Sequence, residues 1–161
     1  MDVFDEELLR FWKLANQFHL QYIMIGGVAT NLHGYQRATE DIDMWIEDTQ
    51  DNRENLRLAF KEYGLGDLKA LKTLQFIAGW TYFHLDNGVR LDVMTDVKGL
   101  EHPFDYYLKA ASIAVIYDTA VPFLHINHLI HSKEAANRPK DRIDVAELYK
   151  IKNILNDDQE I

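Results

Sequence analysis

The chain has 161 residues, 47% of them hydrophobic and 27% charged, with a net charge of −9 and no cysteine. This composition is typical of one globular domain and excludes a disordered or fibrous chain. The lack of cysteine excludes disulfides and thiolate zinc sites, and the acidic balance disfavours broad binding to duplex nucleic acid.

Residues 1–20 are acidic and amphipathic, unlike a signal peptide, and no apolar run reaches the roughly 18 residues that span a bilayer. We therefore expect a cytoplasmic protein with no membrane partner. We expect a single domain over residues 1–161, with a core at about 20–100 and a helical segment at about 125–156.

The first predicted elements are a helix, a strand and a second, short helix. Residues 4–18 carry a helical apolar stripe formed by Phe4, Leu8, Phe11, Ala15 and Phe18. Residues 21–25 are predicted to form a short strand, and a short helix is expected over 28–33, ended by Gly34.

A second strand is predicted over residues 41–47, and a helix follows it. Asp51 is a candidate N-cap for this helix, which we expect to end at Gly64 and Gly66. Its apolar face contains Leu56, Ala59, Phe60 and Tyr63.

The next segment has a strong β-hairpin pattern, with strands over 80–85 and 89–94 around Asp86-Asn87-Gly88. Asn-Gly tolerates the positive φ that tight hairpin turns require. A weaker strand pair is predicted over 112–117 and 120–124.

Two helices are predicted at the end of the chain, over about 126–136 and 139–155, with Pro139 in a first turn. The predicted fold is therefore α/β (α+β): a small mixed β-sheet flanked by helices, with a helical C-terminal segment.

Aspartates interrupt the apolar strands. Because side chains alternate across a strand, Asp41 and Asp43 share a face with Trp45, opposite the Ile and Met residues of the strand. Asp92 likewise lies opposite the Leu and Val residues on either side of it on a later strand. If these strands are neighbours, the three carboxylates converge and repel one another unless a cation neutralises them. Such oxygen ligands suit Mg²⁺ or Mn²⁺ together with substrate phosphates. The alternative is that each Asp begins a strand or faces solvent.

Gly26 and Gly27 follow a strand and open a helix, where free backbone N–H groups favour an anion. Glycine also lets a phosphate approach the backbone closely. The alternative is an ordinary tight turn between strand and helix.

Together these features resemble the nucleotidyltransferase superfamily typified by DNA polymerase β. The segment GGVATNLHGYQRATEDID is most similar to small bacterial members related to abortive-infection and toxin–antitoxin nucleotidyltransferases. Those members also share a helical Lys…Arg-x-Lys-Asp…Asp ending, which is present here as Lys133, Arg138, Lys140, Asp141 and Asp144. The resemblance covers roughly residues 20–150.

The resemblance implies transfer of a nucleoside monophosphate from an NTP such as ATP to a hydroxyl acceptor, with release of pyrophosphate. Asp41, Asp43 and Asp92 would be the catalytic residues and the ligands of Mg²⁺ or Mn²⁺. The acceptor remains open among a small molecule, a tRNA 3′ end and a protein, and the acidity leans toward a cationic small molecule such as an aminoglycoside.

The resemblance assigns further residues to the nucleotide, namely Gly26, Gly27, Arg37, Thr39, Lys133 and Lys140. Helical spacing places Lys133 on the inward face of its helix, and Asp141 and Asp144 on the inward face of the next. By the same resemblance, Asp141 would orient Lys133 or pack behind it. The alternatives are a structural salt bridge between the two helices, and local hydrogen bonds for Arg37 and Thr39.

His125, His128 and His131 are spaced by three residues, which suggests a metal site. They lack a matching carboxylate pattern, so a solvated or partly packed histidine face is favoured.

Three other functions stay open. An Asp-x-Asp strand also begins phosphatases of the haloacid-dehalogenase type, although Met44-Trp45 replaces the usual Gly or Thr here. A catalytically inactive module of a toxin–antitoxin type system would bind a nucleotide or a protein partner. A purely structural domain would leave the inward charges unexplained.

Overall fold

The computed structural model describes residues 5–158, so Phe4 of the predicted N-terminal stripe lies outside the described residues. A 3₁₀ turn occupies Lys69–Lys72. The helices and strands, in chain order, are α1 (Glu6–Gln17), β1 (Tyr22–Ile25), α2 (Gly26–Leu32), β2 (Asp41–Ile46), α3 (Gln50–Tyr63), β3 (Tyr82–His84), β4 (Arg90–Met94), α4 (Phe104–Ala110), β5 (Ser112–Ile116), β6 (Thr119–Phe123), α5 (Ile126–Ala136) and α6 (Pro139–Asp157).

The six strands form one mixed sheet in the order β3-β4-β2-β1-β6-β5. The neighbours β2–β4 and β1–β6 are parallel, and the other pairs are antiparallel. A small mixed sheet flanked by helices was the predicted fold, and it is confirmed. In the described part of the chain, no helix is both long enough and apolar enough to cross a bilayer.

One side of the sheet, the apolar face, packs against α1 and α3. The indole N–H of Trp12 donates to the sulfur of Met24 at 3.3 Å, and the rings of Phe60 and Phe83 lie 4.6 Å apart. The residues that β2 contributes to this face are fully buried, namely Ile42, Met44 and Ile46. Burial of this apolar surface is the main stabilising contribution to the sheet.

The opposite side, the polar face, carries Asp41 and Asp43. One end of this face is covered by α4, whose Phe104 and Tyr107 rings lie 5.1 and 5.3 Å from the ring of Trp45. The predicted alternation along β2 is therefore confirmed, with the aspartates on one side of the strand and the aliphatic residues on the other.

The predicted hairpin is confirmed in its pairing, but its first strand is shorter than predicted and Trp80 precedes it. The turn is formed by Asp86-Asn87-Gly88 as predicted, and within it Gly88 has a positive φ of 79° whereas Asn87 does not. The amide of Gly88 donates to the carbonyl of Leu85 at 2.8 Å, and the amide of Leu85 donates to Val89 at 2.9 Å. These hydrogen bonds close the predicted three-residue loop, which ends in a left-handed glycine.

Two predicted helix starts were wrong by two residues. Thr49 caps α3 instead of Asp51, because the Thr49 hydroxyl accepts a hydrogen bond from the amide of Asn52 at 3.1 Å. Helix α2 begins at Gly26 instead of Val28. The positions of α5, α6 and the β5–β6 pair agree with the prediction.

Candidate active site

The register of the sheet brings the three aspartates together. Strands β2 and β4 are parallel neighbours in which Asp43 is paired with Asp92, and Asp41 is paired with Arg90. Because neighbouring strands are about 4.8 Å apart and paired residues share a face, the carboxylates of Asp43 and Asp92 are adjacent. The predicted convergence of the three aspartates on one face of adjacent strands is confirmed. The catalytic and metal-binding roles remain predictions.

This arrangement disfavours the charged form of Asp43. Burial, followed by the nearby charge of Asp92, raises the pKa of Asp43 to about 6, and Asp41 contributes in the same direction. Lys140 and Lys133 oppose this shift. Two like charges on adjacent strands therefore form a site that a cation would stabilise.

Asp92 is 4% exposed and already has a cationic partner. Its Oδ1 accepts from Arg90 Nη2 at 2.7 Å and from Nε at 3.2 Å. Arg90 was not among the predicted site residues. The available signal was the strand alternation, which places Arg90 and Asp92 on the same face of β4.

The two glycines allow close packing of other site residues. Gly26 has a φ of 63°, and a Cβ on it would collide with the carboxylate of Asp43. A Cβ on Gly27 would lie 2.5 Å from the hydroxyl oxygen of Thr39 and 3.2 Å from Arg37 Nη2. The glycines are thus required by the approach of neighbouring side chains. Their contact with a phosphate remains a prediction.

Lys133 lies in the interior, as predicted from its helical spacing, and is 5% exposed. Its Nζ is 2.7 Å from Asp144 Oδ2 and 3.9 Å from Asp141 Oδ1. Burial lowers the pKa of Lys133, and the hydrogen bond to Asp144 opposes that shift. The main partner of Lys133 is therefore Asp144, a residue that the sequence analysis placed inward without assigning it to the site.

Asp144 also binds Arg37, which is predicted to contact the nucleotide. The distances are 2.8 Å from Arg37 Nε to Asp144 Oδ1 and 3.0 Å from Nη2 to Oδ2. Thr39 donates its hydroxyl hydrogen to the carbonyl of Asp41 at 3.0 Å, which orders the turn before β2. Both residues are held within the site by partners from the protein itself.

Asp141 lies behind Lys133, with its Oδ1 3.9 Å from Lys133 Nζ, and it also contacts the first turn of α6. At the start of α6, its Oδ2 accepts from the backbone amide of Arg138 at 3.1 Å and from Arg138 Nε at 2.7 Å. Three cations thus surround two buried carboxylates, Asp141 and Asp144, which leaves one positive charge in excess. Lys140 is exposed, and its positive charge lowers the pKa of Asp43, which indicates that it lies near the site.

The histidines of α5 have packing and capping roles. His125 Nδ1 accepts from the amide of Asn127 at 3.2 Å, and the ring of His128 lies 4.9 Å from that of Tyr107. Across residues 5–158, no group of three or more His, Asp or Glu side chains is arranged to hold one metal ion. The Asp92 carboxylate binds Arg90 instead.

The donors nevertheless suit a divalent cation of the Mg²⁺ class. Within the described residues, neither Asp41 nor Asp43 forms an ion pair, and both are partly exposed on the polar face. Two unpaired carboxylates on one strand face provide the hard oxygen donors that Mg²⁺ and Mn²⁺ prefer.

No protein-family model and no curated protein matches the chain. Its structure is similar to that of a proposed nucleotidyltransferase from Thermotoga maritima, with a TM-score of 0.58, 15% identity, and coverage of 93% of this chain and 91% of the other. It is also similar to an antigenic nucleotidyltransferase-like protein from Paracoccidioides brasiliensis, with a TM-score of 0.54, 16% identity, and coverage of 93% and 77%. The chain therefore has the nucleotidyltransferase fold.

Proposed function

We propose that this protein is a metal-dependent nucleotidyltransferase that moves a nucleoside monophosphate from an NTP to a hydroxyl acceptor. The acceptor oxygen would bond to the α-phosphorus, the bond to the bridging oxygen would break, and pyrophosphate would leave. The observation that carries this proposal is the register of β2 and β4, which sets Asp43 beside Asp92 with Asp41 on the same face. The similarity of fold supports it.

Asp41 and Asp43 would hold Mg²⁺ or Mn²⁺, and Asp92 would join them when its pair with Arg90 opens. A bound divalent cation supplies charge neutralisation to the attacking and leaving oxygens. Asp92 would help to remove the proton from the acceptor hydroxyl, since β4 carries it on the side of Asp43 that is away from β1 and the Gly26 turn.

The excess positive charge around Asp144 supports binding of the triphosphate near Lys133 and Arg37. These cations are held rigidly by a buried carboxylate, so little reorganisation is needed to stabilise an anion. The amides of Gly26 and Gly27 and the exposed Lys140 would complete the phosphate contacts, and Thr39 would order the turn before β2 through its hydrogen bond to Asp41. Asp141 would support this region by fixing the start of α6.

The test is transfer of label from each of the four NTPs, with Mg²⁺ or Mn²⁺, to total tRNA, aminoglycosides or lysate proteins. We expect label on one acceptor class. Asp43→Ala should lower the rate of transfer by more than about 100-fold, which is the loss typical of an outer-shell metal partner, because Asp43 would bind the metal directly. Asp118→Ala, at a site 80% exposed in the β5–β6 turn, is the matched control. Full activity of Asp43→Ala at saturating Mg²⁺ would contradict the assignment.

A second candidate is an inactive nucleotide- or partner-binding module of a toxin–antitoxin type system. The pair between Arg90 and Asp92 favours it, because this pair engages the third carboxylate. Isothermal titration separates the two functions. Mg²⁺-dependent NTP binding without transfer to any acceptor would favour the module, and binding of neither NTP nor metal would favour a partner-binding role.

A further inference from the structure

The polar face continues past the carboxylates onto the edge strand β3. Residues that are directly opposite each other in paired strands have their side chains on the same face. The register therefore produces two rows across β3, β4 and β2, which are Tyr82–Asp92–Asp43 and His84–Arg90–Asp41. An aromatic residue from β3 thus stands beside the carboxylates on the same side of the sheet.

Two aromatic side chains at this edge are exposed, with Tyr82 at 45% and Trp80 at 80%. The other tryptophans, Trp12 and Trp45, are buried at 0% and 3%. The turn that presents Trp80 is ordered by hydrogen bonds. The amides of Trp80 and Thr81 both donate to the carbonyl of Ile77 at 2.9 Å, and the Thr81 hydroxyl accepts from the Ile77 amide at 2.8 Å.

Arg90 connects these aromatic residues to the carboxylates. Its guanidinium lies 4.0 Å from the centre of the Tyr82 ring and donates to the carbonyl of Gly79, next to Trp80, at 2.9 Å. The same guanidinium holds Asp92 at 2.7 Å. A ligand that contacts Tyr82 and Arg90 would therefore lie directly beside the third carboxylate.

We propose that Trp80, Tyr82 and Arg90 form a stacking platform that receives a nucleobase beside the carboxylates. Exposed aromatic rings and a flat guanidinium are the groups on which bases stack, and they do so with little preference among the four bases. The base belongs either to the NTP or to the terminal nucleotide of a single-stranded acceptor. This proposal rests on the proposed function and narrows its substrates to ligands that place a base at β3.

Intrinsic fluorescence of the full chain tests the platform, because Trp80 is the exposed tryptophan. The probes are ATP with Mg²⁺, inorganic triphosphate with Mg²⁺, and a single-stranded hexaribonucleotide. We expect a probe that carries a base to quench the Trp80 emission, and inorganic triphosphate to leave it unchanged. Quenching by ATP assigns the platform to the NTP, and quenching by the hexaribonucleotide alone assigns it to the acceptor.

Variants separate stacking from phosphate binding. In isothermal titration, which does not depend on Trp80, we expect Trp80→Leu and Tyr82→Leu each to weaken binding of the quenching probe about tenfold, the loss typical of one stacked base. Binding of inorganic triphosphate should not change. Tyr117→Leu, at a site 74% exposed near the opposite edge of the sheet, is the matched control and should bind every probe as the wild type does.

Two kinds of failure are distinguishable. If inorganic triphosphate binds and transfer occurs, but no base quenches and neither variant weakens binding, the platform is wrong and the proposed function stands. If triphosphate does not bind and no transfer occurs while a base still quenches Trp80, the proposed function fails and the platform stands. Absence of binding by all three probes overturns both.

Discussion

Strand β2 contributes alternate residues to two faces of the sheet that differ in burial and in charge. Ile42, Met44 and Ile46 are 0% exposed and pack toward α1 and α3 on the apolar face. Asp41 and Asp43, one residue away from them, lie partly exposed on the polar face, where the described residues provide them with no ion-pair partner. A single strand thus supplies both the core and the candidate site.

The two faces affect stability in opposite directions. Burial of the aliphatic residues stabilises the fold, whereas the raised pKa of Asp43 shows that the folded state disfavours its charge. A group that is unfavourable for folding and is placed beside like charges is typical of a binding or catalytic site. Under the proposed function, a substitution on the polar face would raise stability and remove activity together.

The largest effect is expected at the buried ion pairs behind the polar face. Asp144→Ala leaves Lys133 and Arg37 without their shared carboxylate, and we expect a loss of about 3–5 kcal/mol in the free energy of unfolding. Urea unfolding at pH 7.5 measures it. Glu147→Ala, the control, breaks only an exposed ion pair with Lys150 and should change the free energy of unfolding by about 0.5 kcal/mol or less. A loss below 1 kcal/mol in Asp144→Ala would show that the pair is not structural.

On the apolar face, Ile42→Ala should destabilise the protein by about 2–5 kcal/mol, because it leaves a cavity at a fully buried position. The same urea titration measures this loss. The matched control is Ile113→Ala, at a site 59% exposed on β5, which should change stability by about 0.5 kcal/mol or less. Equal losses at the two positions would contradict the assignment of the core to this face.

One residue further along β2, Asp43→Asn should raise the free energy of unfolding, whereas Ile42→Ala lowers it. The pKa of Asp43 is about 6 in the folded protein and ordinarily 3.8, so its contribution to stability falls as pH rises through that interval. Without divalent metal at pH 7.5, we expect the variant to be more stable by about 1–3 kcal/mol.

The same comparison at pH 4 provides the control, since wild-type Asp43 is then largely protonated and the gain should shrink toward zero. Thermal unfolding in the presence of EDTA at both pH values measures the difference. A gain that is equal at pH 4 and pH 7.5 would mean that ionisation of Asp43 is not its cause.

Divalent cations should restore stability to the wild type. At tenfold excess over its dissociation constant, Mg²⁺ should add about 1.4 kcal/mol to the wild-type free energy of unfolding and much less to Asp43→Asn. Thermal midpoints recorded against Mg²⁺ concentration measure this effect, with Ca²⁺-free buffer and Na⁺ at matched ionic strength as the control. An identical rise in both proteins would place the cation elsewhere.

The smallest effect concerns the helix behind the apolar face. Thr49→Ala removes the side-chain cap of α3 and should lower stability by about 1 kcal/mol. Asp51→Ala keeps that cap, removes only a first-turn charge, and should cost less. Urea unfolding of the two variants compares them directly. A larger loss in Asp51→Ala would restore Asp51 as the cap.

Much of the fold was predictable from local patterns. The alternation along β2, the apolar stripe of α3 and the first-turn Pro139 each depend on residues within one element, and all three are confirmed. The errors fall at turns and caps. Asn-Gly and Asp51 both suit the places predicted for them, but in the turn only Gly88 takes the positive φ, and the cap is Thr49, two residues before Asp51. Such choices differ by small free energies, so packing decides them.

In the candidate site, the sequence determined which side chains face inward. Asp41, Asp43 and Asp92 interrupt apolar strands, and the alternation of side chains along a strand fixes the face to which they point. Lys133 and Asp141 continue apolar helical stripes, so helix geometry fixes their inward direction.

Only the tertiary structure decided which of these groups meet. The parallel pairing of β2 with β4 aligns Asp43 with Asp92, and the fold places Asp144 between Arg37 and Lys133, which are far apart in the chain. Arg90 contacts Tyr82 and the turn of Trp80 for the same reason. Local periodicity specifies the face of an element, whereas strand order and register bring distant residues into contact, and these depend on the packing of the whole sheet.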